Sequence, residues 1–99
     1  MSETKYTTDH DTIRKWAEAR GGRPAAVRTT HNDRDTGIIR IEFPDAPNAH
    51  DENLQEISWD EWFRKFDESK LALLYQDETS GGKRSNFNKL VSRDTAGRG

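Results

Sequence analysis

The sequence contains no cysteine, which removes disulfides, thiolate metal sites and a thiol nucleophile in one step. It is poor in core material: Leu, Ile, Val and Phe number sixteen of 99 residues, below the roughly one fifth at which a chain risks staying unfolded. The companion condition for disorder is a high net charge, and here the net charge is only −2. No apolar run approaches the ~20 residues of a membrane span. The first eight residues are polar and lack the apolar centre of a signal peptide. No membrane association and a cytoplasmic location are therefore the expectations.

What is present makes one small domain. Ninety-nine residues suit a single unit, and a chain of that size buries about two thirds of the surface that its unfolded form exposes. Nine aromatics, Trp16, Trp59 and Trp62 among them, compensate for the scarcity of aliphatics. The expected organisation is a flexible N-terminus over 1–7, a monomeric domain over 8–92 and a disordered tail over 93–99. Charge is distributed unevenly. Residues 1–40 hold eight Lys/Arg and six Asp/Glu, residues 41–79 three and eleven, and residues 80–99 five and one, so an acidic middle lies between mildly basic ends. Soluble surfaces carry mixed charge as a matter of course, but the acidic middle is also a candidate surface for a basic protein partner.

Two helices stand out. Thr8 or Asp9 can cap the first, with Asp11 three residues after Thr8. Ile13, Trp16, Ala17 and Arg20 then repeat at helical spacing until Gly21-Gly22 and Arg23-Pro24 end the element. The second begins at Ser58-Trp59-Asp60-Glu61, a capping box in which Ser58 accepts from the Glu61 N–H and the Glu61 side chain reaches back. Asp60 and Glu61 also suit the positive end of the helix dipole. Trp59, Trp62, Phe63 and Phe66 form an aromatic stripe, Ile57 can staple onto Trp62, and the helix ends near Ser69-Lys70.

Strands fill the intervals. Residues 25–30 read as a short strand and 31–37 as a polar turn with Gly37 left-handed. Residues 38–43 read as a strand with Ile39, Ile41 and Phe43 on one side and Ile38, Arg40 and Glu42 on the other. Pro44 stops it, and 45–56 reads as an acidic loop tied down by Leu54 and Ile57. Residues 71–76 read as a buried strand and 77–84 as a turn around Gly81-Gly82. Phe87, Leu90 and Val91 fit helical spacing, yet the preceding turn and strand favour a second hairpin over 85–92. The order is α-β-β-α-β-β, an α+β fold with one four-stranded antiparallel sheet and both helices packed on one face.

No catalytic, cofactor-binding or metal-binding residues emerge. His10, His31 and His50 lack the spacing of a metal pair. Asp60 and Glu61 are explained by the helix start, and there is no nucleophile elbow, phosphate loop or dinucleotide fingerprint. A basic face could gather Arg14, Lys15, Arg20, Arg23 and Arg28 with Lys83, Arg84, Lys89 and Arg93. An isoelectric point near 5.9 weighs against nucleic acid. Trp59, on the first turn, is the aromatic expected to stay partly exposed, where it could stack a sugar.

The runs DHDTIRKWAEARGGRPAAV (9–27), ISWDEWFRKFDESKLALLYQ (57–76) and FNKLVSR (87–93) resemble a family of small bacterial proteins frequently labelled 1,4-alpha-glucan branching enzyme. The likeness runs from about residue 7 to 93. It implies a link to carbohydrate metabolism and supplies no site residues. The branching reaction belongs to (β/α)₈ barrels of roughly 250 residues, which 99 residues cannot hold. The leading expectation is a non-enzymatic interaction or accessory domain. Weak nucleic-acid binding through the basic ends and a carbohydrate-linked role stand as alternatives.

Overall fold

The computed structural model describes residues 4–45, 51–79 and 81–94. In chain order it contains β1 (Thr4–Thr7), α1 (His10–Glu18), β2 (Arg23–Val27), a 3-10 turn (Arg28–Thr30), β3 (Ile39–Glu42), β4 (Leu54–Glu56), α2 (Trp59–Glu68), β5 (Leu71–Gln76) and β6 (Asn88–Ser92). The strands make two antiparallel three-stranded sheets, ordered β1-β5-β6 and β3-β2-β4. The fold is α+β as expected, but the single four-stranded sheet is not formed.

The reason lies in two short polar strands. Both expected hairpins exist, as β2 with β3 and β5 with β6. Each then recruits a third strand on its open side: β4 pairs along β2 and β1 pairs along β5. The hairpins therefore have no edge left over on that side with which to join. Strand β1 lies in the stretch expected to be a flexible N-terminus. It is held by its ladder to β5, by an ion pair from Lys5 Nζ to Asp77 at 2.8 Å and by Gln76 Nε2 donating to Thr4 Oγ1 at 3.2 Å. Strand β4 lies in the expected acidic loop, of which 46–50 falls outside the described residues.

Both helix starts follow from the sequence. Asp9, not Thr8, caps α1: its Oδ2 accepts from the Thr12 N–H at 2.9 Å and from the Thr12 hydroxyl at 2.6 Å. Ser58 caps α2 by accepting from the Glu61 N–H at 3.0 Å. The second half of that capping box is absent, because the Glu61 carboxylate instead accepts from the Thr36 hydroxyl at 3.0 Å. Helix α2 stops at Ser69, and Lys70 takes a left-handed conformation (φ 51°) that starts β5 directly.

One core serves both sheets. Ile13, Trp16 and Ala17 of α1 and Trp62, Phe63 and Phe66 of α2 bury against Ala26, Ile39 and Ile41 of one sheet and Leu73 of the other. Trp62 and Phe66 are fully buried, and Trp62 Nε1 donates to the Arg40 carbonyl at 2.9 Å, so its one polar atom is satisfied. Helix α2 touches β2, β3 and β5 and so spans the two sheets. Gly22 lies where α1 turns into β2, and an added Cβ would meet Phe43, Ile41 and the Ala17 carbonyl at 2.9–3.0 Å. Arg93, the first residue of the stretch expected to be a disordered tail, is tied down just beyond β6. Its N–H bonds the Lys70 carbonyl at 2.7 Å, and its guanidinium reaches the Leu71 carbonyl and Asp67.

Candidate functional site

A groove of about 710 Å³ lies between the outer edges of the two sheets. Strand β3 is the outermost strand of one sheet and β6 of the other, and neither outer edge pairs with another described strand. Ile39 and Ile41 line one side, Asn88 and Leu90 the other, and Leu71 and Ser69 also line it.

Hydrogen-bond parity shows which main-chain groups face this groove. In an antiparallel ladder, residues alternate between bonding the neighbour and pointing away from it. The Val27 N–H bonds the Ile38 carbonyl at 2.7 Å, whereas the Pro24 carbonyl turns the other way to accept from Ile57 at 3.0 Å. The Ile38 carbonyl and the main-chain groups of Arg40 and Glu42 thus face β2, the Ile38 N–H donates to the Thr30 hydroxyl, and Ile39 and Ile41 direct theirs outward. On β6, the Phe87 carbonyl accepts from Gln76 at 3.3 Å and the Arg93 N–H donates to Lys70 at 2.7 Å. The outward groups there belong to Asn88, Leu90 and Ser92. Each outward-facing residue that lines the groove therefore brings a main-chain donor and acceptor to it. Such edges are templates for a further strand.

The loop before β3 is rigidly built and closes one end of the groove. The Asn32 carboxamide accepts from the N–H groups of Arg34 and Asp35, the Asp35 carboxylate accepts from Gly37, and Gly37 is left-handed (φ 84°) as its position requires. The loop docks on α2 through Thr36 with Glu61 and through Asp35 with Lys65 Nζ at 2.8 Å. The hydrogen bond from Lys65 and that from the Gly37 N–H hold the Asp35 carboxyl below the ordinary carboxylate range. His31 lies 3.7 Å from Glu61 and bonds the Thr36 carbonyl.

The other residues singled out from sequence are placed elsewhere. His10 stacks on Phe63 (centroids 4.2 Å apart, planes 6° apart) and meets Asp67 at 3.0 Å, joining the start of α1 to α2. His50 falls outside the described residues. Among the described residues no three His, Cys, Asp or Glu side chains gather as a metal site. Asp60 is an exposed first-turn residue of α2. Trp59 is half-buried, stacked on Phe63 at 5.3 Å and edge-on to Trp62, and it borders a shallow cleft of about 470 Å³ with Glu18, Arg23, Asp45 and Glu56.

Most of the candidate phosphate-binding cations are committed to the protein itself. Arg20 has a side chain only 7% exposed, donates to the carbonyls of Ser85, Asp77 and Trp16, and lies 4.4 Å over the Trp16 ring. Burial, with the charge of Arg84 nearby, lowers its pKa, and Asp77 works in the opposite direction. Arg84 donates to the Ala19 carbonyl, Arg28 to those of Glu52 and Leu54, and Arg23 pairs with Glu56 and Arg14 with Glu18. Lys15, Lys83 and Lys89 are exposed, and of the nine only Lys89 lines the groove. The groove itself was not foreseen. Its one sequence signal is Ile38, an isoleucine on the otherwise polar face of β3, which is 52% exposed.

Compared with family models, with curated proteins and with solved structures, the chain shows no match.

Proposed function

We propose that this chain is a non-enzymatic interaction domain that binds an extended segment of a partner protein in the groove between β3 and β6. The observation that carries this reading is the pair of strand edges, unpaired among the described residues, that border one partly apolar groove. A segment added to a sheet edge gains main-chain hydrogen bonds regardless of its sequence, and pockets for alternate side chains add selectivity. Exposed Ile38 and half-buried Leu90 are apolar surface beside those edges. The acidic middle of the chain remains a proposed contact for a basic partner. Display of random peptides against the folded domain tests the groove. Selected peptides should shift the backbone NMR signals of Ile39, Ile41, Asn88 and Leu90. Peptides that bind while leaving those signals unmoved would overturn the assignment.

A second reading rests on the cleft beside Trp59, where three carboxylates and an arginine accompany a half-buried indole. Carboxylates and an aromatic face are what sugar hydroxyls and ring C–H groups require. This is the form in which a carbohydrate-linked role suits the chain. Maltooligosaccharide or glycogen should then quench or shift tryptophan fluorescence, and a Trp59→Ala variant should abolish the change. A wild-type signal indifferent to either sugar removes this reading.

A further inference from the structure

We infer that the groove selects acidic extended segments, with Asp or Glu at every second position and apolar or small residues between them; this rests on the groove being the binding site. The charges around the groove are unbalanced. Arg40, Lys65 and Lys89 line it against one carboxylate, Asp35, and the 2.8 Å pair of Asp35 with Lys65 neutralises two of the four. Arg40 and Lys89 remain, one on each bordering strand, both exposed and without an ion pair among the described residues.

Their register gives the spacing. On β3, Ile39 and Ile41 bury their side chains in the core, so Arg40 and Ile38 lie on the opposite face. On β6, Leu90 packs on the core and Lys89 lies on the opposite face. The two free cations thus belong to the outer faces of their strands, while Leu90, Leu71 and Ser69 border the inner side. A strand entering the groove alternates its own side chains in the same way. Residues on its outer face meet Arg40 and Lys89, and residues on its inner face meet the leucines. Charge also weighs between occupants within this chain: residues 95–99 contain Arg98 and no Asp or Glu side chain, so they lack the alternating acidic residues that Arg40 and Lys89 would select. A second copy would present the same Arg40 and Lys89 edges to themselves.

The test uses the full chain. Peptides selected from a random display library are sequenced, and one is titrated by NMR into the wild type, into Arg40→Gln/Lys89→Gln and into Arg40→Glu/Lys89→Glu, with circular dichroism confirming that each variant is folded. The expected result is alternating Asp/Glu in the selected pool and affinity that falls as salt rises. Loss should be about two- to five-fold per cation neutralised, with charge reversal selecting Lys/Arg-rich peptides instead. Peptides that shift Ile39, Ile41 and Leu90 without acidic enrichment, or that bind the variants equally well, overturn the charge inference and leave the groove reading standing. Selected peptides that leave those signals unmoved overturn both. A molecular mass that doubles with concentration, with groove amides becoming protected, assigns the groove to a second copy and overturns the inference. So does a short single-stranded RNA that shifts the same signals and displaces the peptide.

Discussion

Arg20 should be the most consequential charged residue in the fold, and its replacement is a sharp test of how the β1-β5-β6 sheet is held to α1. The backbone N–H of Arg20 bonds the Ala17 carbonyl, and its guanidinium takes the Trp16 carbonyl at 3.0 Å. The same guanidinium crosses to the β5–β6 turn and donates to Ser85 at 2.6 Å and Asp77 at 2.9 Å. Hydrogen bonds to a charged donor contribute ~1.5–3 kcal/mol each. The Asp77 residue is exposed and its carbonyl can turn to water, so about two of the three bonds are irreplaceable. Desolvation of the guanidinium offsets part of this. Arg20→Met should therefore lose about 2–4 kcal/mol, a large share of the roughly 5–15 kcal/mol that stabilises a domain. The melting temperature should fall by roughly 10–25 °C. Arg20→Lys should recover less than half of that, because an ammonium cannot reproduce a fork directed at three carbonyls. Urea denaturation followed by tryptophan fluorescence measures both. A loss below about 1 kcal/mol for methionine, against the range expected for charged hydrogen bonds, would refute the reasoning. Full recovery by lysine would show that charge alone matters.

Three further outcomes are expected. Alanine at three glycines should destabilise in the order Gly37, Gly22, Gly82. At Gly37 a Cβ runs into the Thr30 carbonyl and hydroxyl at φ 84°, at Gly22 it meets Phe43, Ile41 and the Ala17 carbonyl at 2.9–3.0 Å, and at Gly82 it meets nothing and carries only the left-handed cost, about 1 kcal/mol; melting temperatures that break this order would contradict the close approaches. Ser58→Ala should lower stability by about 1 kcal/mol through loss of the α2 cap, measured as an earlier urea midpoint with an unchanged slope; an unmoved midpoint would mean that tertiary packing alone sets the start of α2. Burial alone would raise the Asp67 pKa, but hydrogen bonds from His10 and Arg93 and their charge outweigh it and hold the carboxyl below its ordinary range. A pKa lower in the folded than in the unfolded state stabilises above the unfolded value and stops doing so as pH falls through the folded one. The stability gap between wild type and Asp67→Asn, under ~1 kcal/mol for a half-exposed pair, should thus close on titration downward from about pH 5, and a gap that persists in acid would contradict this.

Local features of the fold were legible because local chemistry determines them. The Ser58 cap, the burial of Trp62, Phe63 and Phe66, the partial exposure of Trp59, the alternation of Ile39 and Ile41 with Arg40, and the left-handed Gly37 all follow from neighbours a few residues away. Choices made by distant residues were not legible. Glu61 has a reciprocal capping role within reach, but the Thr36 hydroxyl on another element competes for it and wins. Arg20 falls on the α1 apolar stripe by spacing, yet it is buried through three carbonyls, two of them about sixty residues away. Strand β1 has no apolar alternation to announce it, because three of its four residues are exposed and its stability comes from main-chain pairing with β5.

The same distinction explains why the candidate site was invisible in the sequence. A strand edge is not a property of the strand that bears it. Strands β3 and β6 are open because neither pairs with a second described strand, and that is decided by the pairing order of both sheets. The third strands β1 and β4 are short, carry little hydrophobic signal and do not line the groove. Arg40 and Lys89 read as ordinary surface charges for the same reason: only the pairing order makes them the two free cations bordering a single groove. Deleting β1 would therefore leave the groove untouched. It would exchange the short polar edge of β1 for an open edge on the longer, apolar β5, so the truncated chain should gain a peptide site on β5 while the groove keeps its own.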